Sequence, residues 1–96
     1  MALRPLADAE IAQCLKAAPE WQRKGDEISR TYTFSGFTDA IAFVNQMAAH
    51  AESVNHHPDI LVQYNKVTLT LSTHDAGGIT QKDFDFARVA DEHVSA

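Results

Sequence analysis

A single cysteine, Cys14, leaves this 96-residue chain without an intrachain disulfide. Its stability must therefore come from packing, and a reducing compartment suits it. Bases are also scarce: eight Lys and Arg against thirteen Asp and Glu give a net charge of −5. With no basic stripe to displace counterions, binding along a nucleic-acid backbone is excluded, and so is attraction to an anionic membrane surface. Purely apolar runs last only a few residues, far short of a membrane span. The first residues lack the basic and apolar stretches of a secretory signal, so the expected location is the cytoplasm. Four glycines and three prolines leave no linker or low-complexity tract, and no repeat is visible.

What remains reads as one domain over residues 1–96. Hydrophobic residues make up 45% and charged residues 22%, a globular balance. A chain this short buries roughly 60–65% of its unfolded surface, so its core is thin. That favours assembly into a homodimer or homotetramer, which would cover a helix or strand edge. The helix around Phe43 and Met47 is one candidate for such a surface, with ordinary core as the stronger reading.

The hydrophobic spacing predicts seven elements. Asp8 can cap a first helix carrying Ile11, Cys14, Leu15 and Ala18 at i, i+3, i+4, i+7, and Pro19 stops it. Trp21 to Lys24 and Glu27 to Phe34 read as strands around Gly25-Asp26, with Ile28, Tyr32 and Phe34 on one face and Ser29, Thr31 and Thr33 on the other. After Gly36, Thr38 can cap a second helix with the stripe Ala40, Phe43 or Val44, Met47, Ala51 and Val54. Ile60 to Tyr64 and Val67 to Thr73 read as strands around an Asn65-Lys66 turn. Gly77-Gly78 precedes a last helix, where Thr80 and Asp83 resemble a capping box and Ile79 and Phe84 a hydrophobic staple. The order α-β-β-α-β-β-α, with strands polar on one face, predicts an α+β two-layer sandwich. In it a four-stranded antiparallel sheet carries three helices on one side.

The five histidines matter by their placement. His56 and His57 precede Pro58, which disfavours the α region for His57, so the tripeptide reads as extended and the two rings point apart. His74 continues the polar face of the fourth strand, in line with Thr68, Thr70 and Ser72. A hairpin of the last two strands would bring Pro58 to Ile60 beside Thr73 and His74, gathering three imidazoles at one sheet end. A metal site is the weaker reading, since adjacent histidines in an extended loop splay apart and chelate poorly. His50 and His93 lie among polar helical neighbours and read as solvated or capping residues. Cys14 belongs to a helical core stripe, Ser72 lacks a nucleophile elbow, and Gly77-Gly78 is no phosphate cradle. Imidazole acid–base chemistry is what remains.

His56-His57-Pro58, Tyr64-Asn65-Lys66-Val67, Ser72-Thr73-His74 and the Gly77-Gly78-Ile79-Thr80 run ending at Asp83 together resemble the signature of the pterin-4a-carbinolamine dehydratase family. Trp21 and the segment from Phe34 to Ala51 resemble its N-terminal half. The resemblance implies the same sandwich fold and a hydro-lyase that dehydrates 4a-hydroxytetrahydropterin to quinonoid dihydropterin, with no cofactor and no metal, in tetrahydrobiopterin recycling. It implies catalytic roles for His56, His74 and Asp83, and substrate contacts from His57, Pro58, Thr73 and Asp75. For Asp83 a purely capping role is the alternative; for Glu52, which matches a family glutamate, a solvated charge is the preferred reading. Asp59 and Ile60 depart from the Glu and Trp found in many members. An aromatic amino acid hydroxylase is the implied functional link. The rival reading is a non-catalytic binding module or dimerisation partner, with an inactive paralogue as a third possibility.

Overall fold

A computed structural model describes residues 4–95. Helix α1 (Asp8–Ala17) leads into strands β1 (Gln22–Lys24) and β2 (Glu27–Thr33), then helix α2 (Phe37–Val54). Strands β3 (Asp59–Gln63) and β4 (Lys66–Leu71), a 3-10 turn (His74–Ala76) and helix α3 (Gln81–Ser95) complete the chain. The sheet order is β1-β2-β4-β3, every pair antiparallel. Each hairpin is local, whereas the central β2–β4 pairing joins them across the α2 crossover. The predicted α+β sandwich is the observed fold.

Period-2 alternation decides which face is covered. Ile28 and Tyr32 of β2 and Val67, Leu69 and Leu71 of β4 are buried under the helices. In the register they pair as Ile28 with Leu71 and Tyr32 with Val67. On the open face Thr31 and Thr68 sit opposite one another with their hydroxyls 2.7 Å apart. Helix α2 contributes Ala40, Phe43, Met47 and Ala51 to the core, and α3 contributes Phe86, Ala87 and Ala90. Phe43 and Met47 are 3% and 0% exposed, so they are core and not a self-association surface. Each fully buried large side chain stabilises the fold by about 1.5–3 kcal/mol.

Several boundaries differ from those predicted. Asp8 is the first residue of α1, not its cap; Ala7 holds that place, and its N–H donates to the Glu10 carboxylate (2.8 Å). The Arg4 guanidinium and that N–H hold the Glu10 carboxyl down at about 2. Gly36, not Thr38, precedes α2. The second hairpin turns at Tyr64-Asn65, one residue early, because Asn65 is tied to the end of β2. Its amide donates to the Phe34 carbonyl (3.0 Å) and its own carbonyl accepts from the Phe34 N–H (2.8 Å). Tyr64 takes the left-handed conformation this requires (φ 54°). Strand β4 ends at Leu71, so His74 leaves the strand and opens the 3-10 turn.

A polar knot ties α3 back to the first hairpin. Asp91 accepts from Trp21 Nε1 (3.1 Å), Arg30 Nη1 (2.8 Å) and Tyr32 Oη (2.5 Å). Burial, and then the hydrogen bond to Asp91, push the Tyr32 phenol well above its ordinary value. No helix among the described residues is long and apolar enough to cross a membrane.

Candidate active site

Helix α2 ends where Asn55 takes the left-handed conformation (φ 51°, ψ 44°), and the His56 N–H closes back on the Ala51 carbonyl (3.1 Å). Asparagine tolerates that conformation better than most residues. The reversal throws the two following imidazoles apart, as the extended reading predicts. His56 turns inward, its side chain 10% exposed, with Nε2 2.6 Å from Asp83 Oδ1. His57 turns outward and back along α2, with Nε2 2.5 Å from Glu52 Oε2. Each loop histidine therefore has its own carboxylate. Glu52 is a solvated charge, as read, and also meets the His57 ring.

Asp83 is fully buried and completely engaged. Its Oδ2 accepts from the Thr80 N–H and from the Thr73 hydroxyl, both at 2.9 Å. Thr73 has one proton and gives it to the carboxylate. The Thr80 hydroxyl, 2.7 Å away, must then donate to Thr73, while it accepts from the Lys82 N–H (3.2 Å). One direction of donation satisfies the whole chain. The remaining oxygen, Oδ1, accepts from His56 Nε2–H, which leaves Nδ1 of His56 as the nitrogen able to give or take a proton. The same carboxylate that starts α3 therefore also holds the His56 ring.

The third imidazole stands on a pinned loop. Thr73 and Gly78 bridge the ends of the 3-10 turn, with the Thr73 N–H donating to the Gly78 carbonyl at 3.0 Å. Gly77 supplies the left-handed turn between them (φ 83°). His74 and Asp75 are exposed on this loop, and neither side chain is engaged by another described side chain. Together Asn55, His56, His57, Thr73, His74 and Asp75 line an open cleft of about 590 Å³.

The three imidazoles predicted to converge do so, though His74 arrives by the turn and not along the strand. Thr73 and Asp75 line the cleft. Pro58 does not; it is half-buried and acts through the backbone by keeping His57 extended. Asp83 does not line the cleft itself and meets it through His56 and Thr73. Sequence reasoning missed Asn55 and Lys82, which also line it. Lys82 stands beside Asp83 in the first turn of α3, and helical spacing with Thr80 as cap could have placed it near the same edge. His50 is not solvated: it is half-buried, its ring 4.9 Å from that of Phe86. Among the described residues, no group of three His, Cys, Asp or Glu side chains is arranged to hold a metal ion.

The sequence profile of the family described as pterin 4 alpha carbinolamine dehydratase matches residues 4–93. The chain belongs to this family. A Thermomicrobium roseum protein named "Putative pterin-4-alpha-carbinolamine dehydratase" is 51% identical over 90 residues, covering 94% of this chain and 97% of that one. A crystal structure of a transcriptional coactivator/pterin dehydratase from Brucella melitensis superposes with a TM-score of 0.89 at 34% identity, covering 93% and 97% of the two chains. A pterin dehydratase-like protein described as a RuBisCO assembly factor in the alpha-carboxysome is more distant. It superposes with a TM-score of 0.62 at 25% identity, over 75% of this chain and 83% of that one. The two solved structures that share this sandwich are thus described, one by coactivation and pterin dehydration, the other by assembly.

Proposed function

We propose that this protein dehydrates a 4a-hydroxytetrahydropterin to the quinonoid dihydropterin by histidine acid–base catalysis, without a resident cofactor or metal, and so serves pterin recycling. The observation that carries the reading is the convergence of His56, His57 and His74 on one cleft, with His56 held by a buried carboxylate. The reaction breaks the C4a–O bond and removes the N5 proton. The hydroxyl leaves as water once an imidazolium has protonated it, and a neutral imidazole takes the proton from N5. The two transfers balance, and nothing is oxidised. Imidazole titrates near neutrality and can fill either role. His56 and His74, standing on different elements, would serve the two faces of the ring, while His57, held by Glu52, positions it. The uncatalysed loss of water is easy, so an open site need lower the barrier by only about a few kcal/mol.

Family membership and the cleft geometry both support this reading. The test is the ultraviolet absorbance of freshly generated carbinolamine, followed with and without the protein and after chelator treatment. Accelerated decay, unchanged by the chelator and lost in the His56→Ala/His74→Ala double variant, is expected. No acceleration by the intact protein would refute the proposal. The two structural relatives, one described as a transcriptional coactivator and one as an assembly factor, favour one second reading, a binding module. Its function would survive loss of all three histidines. Exposed Phe37 on α2 and Leu61 on edge strand β3 support assembly into oligomers, and sedimentation showing only monomer at micromolar concentration would refute that.

A further inference from the structure

His56 and Lys82 do not only line the cleft. They also border a second groove, of about 330 Å³, that runs between α2 and α3. On α3 the positions Lys82, Phe86 and Val89 follow i, i+4, i+7, so they form one ridge about 10 Å long leading away from the cleft. His50 and Val54 of α2 form the opposite side, and Arg88 stands at the rim. The floor is the His50–Phe86 ring pair, and Val54 is 45% exposed. Lys82 forms no ion pair among the described residues, whereas Arg88 is loosely paired with Glu92 at 3.3 Å, both ends well exposed. The groove's one acid, Asp85, accepts from the neutral Gln81 amide (3.0 Å) and keeps its charge. The groove therefore has an apolar wall along its length, and at its entrance and rim the two cations Lys82 and Arg88 outnumber the one carboxylate of Asp85.

We propose that this groove takes the 6-substituent of the pterin, and that it selects substituents with an aromatic ring ending in a carboxylate. This rests on the pterin reading of the cleft. With the bicyclic ring among the histidines, the substituent leaves past Lys82, lays its ring along Val54, Phe86 and Val89, and turns its carboxylate toward Arg88. A short hydroxylated side chain would reach neither the apolar floor nor the rim. The structure thereby points to conjugated, folate-type pterins as the better ligands.

Equilibrium binding by calorimetry separates the possibilities, with dihydrofolate, dihydropteroate and 6-methyldihydropterin as probes. Dihydropteroate and dihydrofolate should bind at least about tenfold more tightly than the 6-methyl compound, as partial burial of one aromatic ring predicts. Val54→Trp fills the groove at a position outside the cleft. It should bring all three affinities to the 6-methyl value without changing that value. Arg88→Glu, also outside the cleft, should weaken the two acids and leave 6-methyldihydropterin unaffected. Equal affinities in the native protein, or an advantage that survives Val54→Trp, would overturn the groove assignment while leaving the pterin cleft standing. Failure of all three probes to bind would overturn both.

Discussion

Replacing Asp83 separates its two roles, because Ala and Asn remove different things. In Asp83→Ala the Thr80 N–H, the Thr73 hydroxyl and His56 Nε2 all lose their acceptor in a fully buried place. Each orphaned group costs about 1–3 kcal/mol. The Thr73 hydroxyl can turn toward Thr80 and recover part of its share, so a total near 3–5 kcal/mol is expected. For a domain of this size that lowers Tm by roughly 15–30 °C. Asp83→Asn is gentler. Its amide carbonyl can still accept from Thr73 and Thr80, and its NH2 then faces His56 Nε2. That nitrogen must now accept, so the ring proton moves to Nδ1 and the tautomer inverts. The Asn variant should lose only about 1 kcal/mol of stability while kcat falls by something like 10²-fold, the size of a general acid or base contribution. Thermal melts and carbinolamine decay on the same samples read the two effects separately. An Asn variant with unimpaired kcat would refute the claim that the carboxylate sets the state of His56. An Ala variant that melts within a few degrees of the parent would refute its structural part.

His56→Ala and His74→Ala should each slow one 4a isomer more than the other by about 10²-fold, in opposite senses, and the folded double variant should be nearly inactive on both. His57→Ala should raise KM on both isomers with a smaller change in kcat; equal slowing of both isomers by each single His56 or His74 variant would refute the two-sided arrangement. Asp91→Ala strips the shared acceptor from Trp21, Arg30 and Tyr32 and should destabilise the fold by about 2–4 kcal/mol, with a shift in Trp21 emission; a loss under about 0.5 kcal/mol, the range of an ordinary surface change, would refute the knot's importance. Because the folded-state phenol of Tyr32 is held above its ordinary 10.0, its contribution is intact below pH 10 and is lost as the unfolded chain ionises above it. Denaturant melts should therefore show stability falling above pH 10, and falling less steeply in Tyr32→Phe; identical profiles for the two would count against that linkage.

The sequence by itself determined the elements and their faces, because period and propensity are local. Ile28, Tyr32, Val67, Leu69 and Leu71 had to share one face of a pleated sheet, and Thr80 with Asp83 had to start a helix. It also determined that His56 and His57 point apart, since Pro58 restricts the residue before it. The motifs that carry the family resemblance are likewise continuous in the chain. The tertiary structure decided what depends on residues far apart in sequence. The Tyr64-Asn65 turn is set by Asn65 bonding to Phe34, 31 positions away, and local pattern alone put it one residue late. His74 leaves the sheet because the Thr73–Gly78 bridge closes a turn there. Asp83 became the partner of His56, 27 residues distant, only when α3 packed beside the end of α2. The same packing set His50 on Phe86 and opened the groove beside Lys82. Local backbone preferences act over a few residues and can be read in order along the chain. A carboxylate's choice of imidazole depends on which surfaces meet, and that is settled only when the whole core is buried.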